Sequence, residues 1–341
     1  MKIKRADIER ILILCAAVLV VVLALRGNQQ TTSREMYETT SLPVTETSAG
    51  GGDVETIPTV VFYEDGDGYL VPVTRRIPKT EGVAKATLAL MVKSGSNDME
   101  AARLGLRTVI PEGTTFDVDI QNGKARVDVS KEALLCASAD AECLMVDAIA
   151  NTMACFSTVD EVSLLFDGQK RSKLTFGTDV SGVFAGTAVN LESVETLASD
   201  ADSVRLYFPS QTGRLLVPVT RTVFSVSDPA TALLELAKGP QPDSGLENAR
   251  PNDCGIRSVT MKDGVVTVDF SNEFRQIVSA SDGGRQAVRA ILFTCSQFPG
   301  VNRVELLVEG EKFTPPPEAT ATFINREEEV IAQYPGVVEI D

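Results

Sequence analysis

Asp65-Gly66-Asp67-Gly68 begins like a calcium-binding loop within a chain of 341 residues. Such a loop needs a bidentate Glu at its twelfth position, and counting from Asp65 that position holds Arg76. The run therefore reads first as a tight turn between strands, with a cation site as the lesser alternative. Asp128 and Asp269 each precede a Ser by two positions, a pattern expected to cap the turn that follows. The cysteines are Cys15, Cys136, Cys143, Cys155, Cys254 and Cys295, with no C-x-x-C among them, so neither a redox pair nor a zinc knuckle is supported. Glu327-Glu328-Glu329 follows Pro315-Pro316-Pro317 and reads as a solvated charge run. The chain has no His, which removes the imidazole general base, the His-activated nucleophile and the His-ligated zinc. No phosphate cradle or paired-carboxylate cleft emerges. No catalytic, cofactor-binding or metal residue is assigned, no cofactor is expected, and an enzyme is not expected.

The elements that would position any chemistry are set by an internal repeat. Tyr69-Leu70-Val71-Pro72-Val73-Thr74-Arg75 recurs as Leu215-Leu216-Val217-Pro218-Val219-Thr220-Arg221, with six identities in seven at an offset of 146. Arg126 to Ser130 recurs as Thr267 to Ser271 at an offset of 141, and Val162 to Lys170 as Val304 to Lys312 at 142. Three collinear matches with drifting offsets indicate a duplicated domain rather than a solenoid.

Within each copy the periodicity predicts ββαββαβ. Copy one has strands at Thr59 to Tyr63 and Tyr69 to Ile77, a helix over Val83 to Lys93, a hairpin of Thr115 to Ile120 and Lys124 to Val129, a helix from Ala141 to Phe156, and a strand from Val162 to Phe166. Copy two repeats this at Val204 to Phe208, Leu215 to Val223, Pro229 to Lys238, Ser258 to Met261, Val265 to Phe270, Gly284 to Phe298 and Val304 to Val308. Asn122-Gly123 and Asp263-Gly264 are the turn residues that accept positive φ most readily, so both hairpins are expected. Leu144, Ala148, Ile149, Thr152 and Phe156, with Ala287, Ile291, Leu292, Cys295 and Phe298, are expected core positions. The fold class is α+β, two helices covering a mostly antiparallel sheet in each copy. Cys136 could bridge Cys143 and Cys254 could meet Cys295. The spacing differs between copies, so buried free thiols are the first expectation.

Ahead of the repeat, Ile11 to Leu25 is an unbroken apolar run flanked by Lys2, Lys4, Arg5, Arg10 and Arg26. Fifteen residues span about 22 Å as a helix, so the flanking Arg side chains would snorkel to reach the interface. No small-residue cleavage site follows the run, and Leu14 precedes Cys15 where a lipoprotein needs a small residue. An uncleaved single-pass membrane anchor is expected first, a cleaved signal or a lipoprotein remaining as alternatives. The first 27 residues carry net +3, and the whole chain −15, which leaves −18 for the rest. The N-terminus is expected in the cytoplasm and the acidic bulk outside the cell membrane. That acidity argues against nucleic acid as a partner. The expected organisation is a basic tip and anchor over 1–27, a flexible linker over 28–55, domain one over 56–180, a spacer over 181–202, domain two over 203–315 and a Pro-rich acidic tail over 316–341.

LVPVTR, the Val-Asp-hydrophobic-Ser hairpin ends (Val127 to Ser130, Val268 to Ser271) and the run from Phe298-Pro299-Gly300 to Gly310 together resemble the GerMN domain. This is a sporulation and germination module found in tandem in GerM-like proteins of spore-forming bacteria. The resemblance covers about Thr59 to Phe176 and Ser203 to Phe313, and copy one lacks the Phe-Pro-Gly signature. It implies domains of ring-building-motif type and a non-enzymatic envelope role, a membrane-anchored scaffold of a sporulation or germination complex. Its partners would be other envelope proteins or further copies of itself, with peptidoglycan possible. The other reading is an exported module binding cell-wall polymer or a small solute in a groove between the two repeats. Pro72 and Pro218 lack a backbone N–H and are expected to limit pairing at the edge of the LVPVTR strands.

Overall fold

The computed structural model describes residues 55–185, 188–192, 201–280 and 284–315, and the backbone of Glu339–Ile340. The expected anchor at Ile11 to Leu25 and nearly all of the linker and tail lie outside these residues. Among the described residues no helix is long and apolar enough to cross a membrane.

Both copies are built on the expected plan. In copy one, β1 (Thr56–Glu64) and β2 (Leu70–Pro78) form an antiparallel hairpin, with Val61 opposite Val73. Helix α1 (Val83–Ala89) and α2 (Gly95–Arg103) follow, then the hairpin β3 (Phe116–Gln121) and β4 (Lys124–Val129). A 3-10 turn at Lys131–Leu135, helix α3 (Ala139–Ala154) and strand β5 (Glu161–Phe166) complete it. Copy two runs β6 (Asp202–Pro209), β7 (Leu216–Val223), α4 (Pro229–Lys238), β8 (Ile256–Lys262), β9 (Val265–Phe270), a 3-10 segment at Asn272–Ser279, α5 (Arg285–Ser296), β10 (Arg303–Val308) and β11 (Glu311–Lys312). A last short strand, β12, is Glu339–Ile340.

The architecture is α+β and rich in antiparallel pairing, and each copy's strands are divided between two sheets. The first hairpin stands apart from the sheet β3-β4-β5 and from its counterpart β11-β10-β9-β8. In both, the last strand is parallel to its neighbour: Val127 faces Leu164 and Val268 faces Leu306. A parallel neighbour requires a crossover, and α3 and α5 supply it. The two-residue turns are as the sequence predicts, with φ of 52° at Asn122 and 51° at Asp263, each followed by Gly at 77° and 78°.

One helix boundary differs from expectation. The pattern over Val83 to Lys93 predicts a single helix, but α1 ends at Ala89 and the chain straightens so that Val92 can bridge Ile110. Ser94 then accepts a hydrogen bond from the Asn97 N–H at 3.2 Å and caps α2, an element copy two lacks. Burial of Met91 and Val92 in the core wins over helix continuation.

The core is continuous through both copies, which belong to one compact unit. Tyr63, Phe62, Tyr207 and Phe208 of the hairpins are fully buried, as are Phe166 and Phe270. Of the expected helix positions, Ala148, Ile149, Thr152, Ala287, Ile291, Leu292, Cys295 and Phe298 are buried, with Leu144 and Phe156 packed at the margin.

Candidate functional site

The repeated Asp and Ser are committed to backbone. Ser130 Oγ accepts from the Thr115 N–H at 3.0 Å and Ser271 Oγ from the Gly255 N–H at 2.9 Å, closing the open end of each β3-type hairpin. Asp128 Oδ1 accepts from the Gly168 N–H and Asp269 Oδ1 from the Gly310 N–H, both at 2.9 Å. The sequence pattern had each Asp capping the turn that follows it. It caps instead the turn ending the parallel strand alongside, which pairing of β4 with β5 and of β9 with β10 brings into reach.

Asp65 is buried at the tip of the β1–β2 hairpin, and its Oδ1 accepts from the N–H of both Asp67 and Tyr69 at 2.9 Å. Burial pushes this carboxyl above its ordinary value, and the backbone donors pull back against that. The Asp65-Gly66-Asp67-Gly68 run is thus a hairpin turn whose first carboxylate is already occupied.

The arginine of LVPVTR is a buried anchor in both copies. Arg75 donates to the Tyr63 hydroxyl at 2.9 Å and pairs with Glu100 of α2. Arg221 donates from Nε and Nη2 to the two oxygens of Glu192, at 2.6 and 2.9 Å, and reaches the carbonyls of Glu235 and Gly239. It also lies 5.9 Å from the Phe208 ring centre. Burial alone would depress the Arg221 guanidinium, and the bonds and charge of Glu192, with Glu235, hold it above its ordinary value instead.

The five described cysteines are free thiols, so neither Cys136–Cys143 nor Cys254–Cys295 is a disulfide. Cys155 and Cys295 are buried and Cys136 is half-buried. Desolvation pushes Cys295 up to about 12 and Cys136 up to about 11, and raises Cys155 further. A thiol held protonated in this way is a packing residue rather than a nucleophile.

Two side chains outside any sequence motif tie the molecule together. Glu142 is buried in the first turn of α3, and its carboxylate accepts from the Phe176 and Thr178 N–H groups at 3.1 Å. Asn190 lies in the expected spacer, where its amide donates to the Leu70 carbonyl at 2.8 Å and the Pro218 carbonyl at 2.7 Å. Its Oδ1 accepts from the Leu70 N–H at 2.8 Å, so one residue stitches β2 to β7. The Tyr69 hydroxyl adds a bond across the copies to the Ser244 carbonyl at 3.0 Å. Four residues, Val189-Asn190-Leu191-Glu192, alternate apolar and polar, a signal too short to stand out within a spacer.

Three clefts each lie within a single copy. One of about 530 Å³, lined by Ile57, Val83, Val118, Ile120 and Phe156, is apolar; one of about 600 Å³ lies in copy two beside Ser210, Arg250 and Gln276. The third, about 370 Å³, is lined by Leu292, Val304 and Phe313. Among the described residues no group of three or more carboxylates or thiols is placed to hold a metal ion.

A family model described as Germane, sporulation and spore germination, matches residues 60–172 and 205–314, one match on each repeat. The chain is 29% identical over 299 residues to the spore germination protein GerM of Bacillus subtilis, covering 84% of this chain and 80% of that protein. The solved structure of the tandem GerMN domains of the sporulation protein GerM from Bacillus subtilis superimposes with a TM-score of 0.66 at 27% identity, covering 84% of this chain and 100% of that one.

Proposed function

We propose, from the premise that this chain belongs to the Germane family of sporulation and spore germination domains, that it is a membrane-anchored scaffold of an envelope complex and not an enzyme. The anchor would be the apolar run Ile11 to Leu25, with the tandem domains outside the cell membrane. Partners would be other proteins of that complex or further copies of this chain.

One observation carries this reading. Three polar pairs that the two copies share at matching positions, Asp128 with Asp269, Ser130 with Ser271 and Arg75 with Arg221, are each bonded within their own copy. At these three pairs, what duplication has kept in common is architecture. The clefts support the same view, since their linings differ between copies.

Affinity capture with the tagged full chain, run against solubilised envelope proteins and against purified peptidoglycan, tests the proposal. Specific retention of envelope proteins is expected. Retention by the polymer alone would sink the scaffold in favour of a wall-binding module, and polymer hydrolysis abolished by one carboxylate substitution would reinstate an enzyme.

A further inference from the structure

Each LVPVTR hairpin is paired at its outer edge by the segment that follows the other copy, β2 by a third strand and β7 by an isolated bridge. After copy one, Leu191 pairs in parallel with Thr220 of β7; after copy two, Glu339 and Ile340 pair in parallel with Thr74 and Arg75 of β2. Thr74 and Thr220 are equivalent positions of the repeat, so the exchange is reciprocal. Pro72 and Pro218 were expected to limit pairing at these edges. Pairing occurs all the same, and it starts two residues beyond each Pro, at the next outward-facing position with an N–H to give.

The acceptor strands are nearly identical, and their donors differ in kind, an isolated bridge on β7 and a two-residue strand on β2. On β7 the Thr220 N–H donates to Val189 and Asn190 carbonyls at 3.0 and 3.3 Å, and Thr220 accepts from the Glu192 N–H at 3.0 Å. The Thr220 hydroxyl bonds Val189, Asn190 bridges both hairpins, and Glu192 pairs with Arg221. On β2 the donor strand is two residues long. The donor on β7 is fixed to both hairpins through Asn190, whereas the donor on β2 lies at the far end of residues 316–338, so the strand on β2 is the one a neighbour can replace.

We propose that the outer edge of β2 is a strand-acceptor site whose partner is a second copy of this chain, supplying its own Glu339–Ile340 strand. An exchanged pair keeps the contacts of the closed chain and changes only which molecule donates, so its cost is chiefly the entropy of association. Complementarity is assured, because the donor already fits this acceptor in its own chain. Residues 316–338 separate Pro315 from Glu339, and an extended stretch of that length spans about 75 Å, enough to reach a neighbour. The missing N–H of Pro72 sets the register, leaving Thr74 and Arg75 as the docking positions. This deepens the assembly reading by naming a surface and a partner.

The test uses the full chain carrying Ile340→Pro, which removes a backbone donor from the resident strand, and a fluorescent peptide of residues 331–341. Saturable binding at least about tenfold tighter than to the unaltered chain is expected, because the tethered strand competes at high effective concentration. A peptide carrying the same Pro should not bind. The unaltered chain should form a dimer that grows with concentration in sedimentation velocity and is lost in Ile340→Pro. A full-length Ile340→Pro chain that melts normally yet ignores the peptide overturns the acceptor site; peptide binding without a concentration-dependent dimer overturns the second copy as partner. Should Ile340→Pro lower the melting transition, deletion of residues 339–341 replaces it. Capture of envelope proteins unchanged by either variant would leave the scaffold reading standing even if strand addition fails.

Discussion

Arg75 and Arg221 occupy the same place in the repeat, yet their surroundings have diverged. Arg75 meets a tyrosine hydroxyl and one glutamate, Glu100, whose side chain is 37% exposed. Arg221 meets Glu192 and Glu235, 12% and 16% exposed, and a phenyl ring where copy one has the tyrosine. A second junction diverges further. Copy two fills the end of its β8-β9-β10 sheet with Phe270 and Phe274 stacked at 4.1 Å and Phe313 edge-on to Phe274 at 5.5 Å. The equivalents of Phe270 and Phe274 in copy one are Val129 and Ala133, and there a loop is clamped by the Glu142 carboxylate and by Thr175 bonded to the Leu134 carbonyl. The exposed turn N–H groups met by Asp128, Asp269, Ser130 and Ser271 are kept alike in the two copies; the surroundings of the arginine and the filling of the sheet end, where packing decides, part company.

Removing the guanidinium should separate the copies most. Arg221→Ala strands the mostly buried Glu192 carboxylate, while Glu235 keeps Lys238, and should cost roughly 3–5 kcal/mol, whereas Arg75→Ala, whose Glu100 can turn to water, should cost about 1–2 kcal/mol. Chemical denaturation of the two variants checks the order. Equal losses would mean the tyrosine hydroxyl counts for as much as the second glutamate.

The aromatic stack comes next. Phe274→Ala should cost about 3–5 kcal/mol through the cavity it leaves. Introducing the ring into copy one, Ala133→Phe, should overpack the site by about 1–3 kcal/mol rather than stabilise it, because Ala133 is already fully enclosed. A rise in melting temperature for Ala133→Phe would show that copy one retains room for the lost ring. Glu142→Ala leaves two N–H groups without their acceptor and should cost roughly 1–3 kcal/mol. Hydrogen exchange should show that loss at Phe176 and Thr178 before anywhere in copy two.

The β-turns, the helix-two cores and the duplication were legible because each rests on local chemistry: Asn-Gly and Asp-Gly at positive φ, apolar residues at helical spacing, and identity at a fixed offset. The break between α1 and α2 was not, because Leu88, Met91 and Val92 continue the helical pattern while long-range packing against Ile110 ends the helix. Parallel pairing of β5 and β10 was equally hidden, since period-two alternation is blind to strand direction. The division into two sheets follows from that same register. Among candidate residues, the Asp and Ser of the hairpin ends were found by repetition, but their true partners lie 40 and 41 residues away for the Asp pair, beyond any local turn rule. Glu142 and Asn190 carry no motif; a carboxylate in the first turn of a helix is usually solvated, and its burial is decided by a loop that folds back from Phe176.

The smallest effects should fall on the junction the copies share. Asp128→Ala and Asp269→Ala each release one turn N–H and should cost about 1 kcal/mol. The Gly168 and Gly310 turns are solvent-exposed, so water can replace the lost acceptor and the penalty stays small. Asp269 also lies 3.3 Å from Arg257, a half-exposed partner that Asp128 lacks, which should add only a few tenths. The double variant should show the sum of the two losses, because the sites share no partner. A double loss well beyond that sum would mean the turns report to each other through the seam at Asn190, and combining the pair with Asn190→Ala would then abolish the excess.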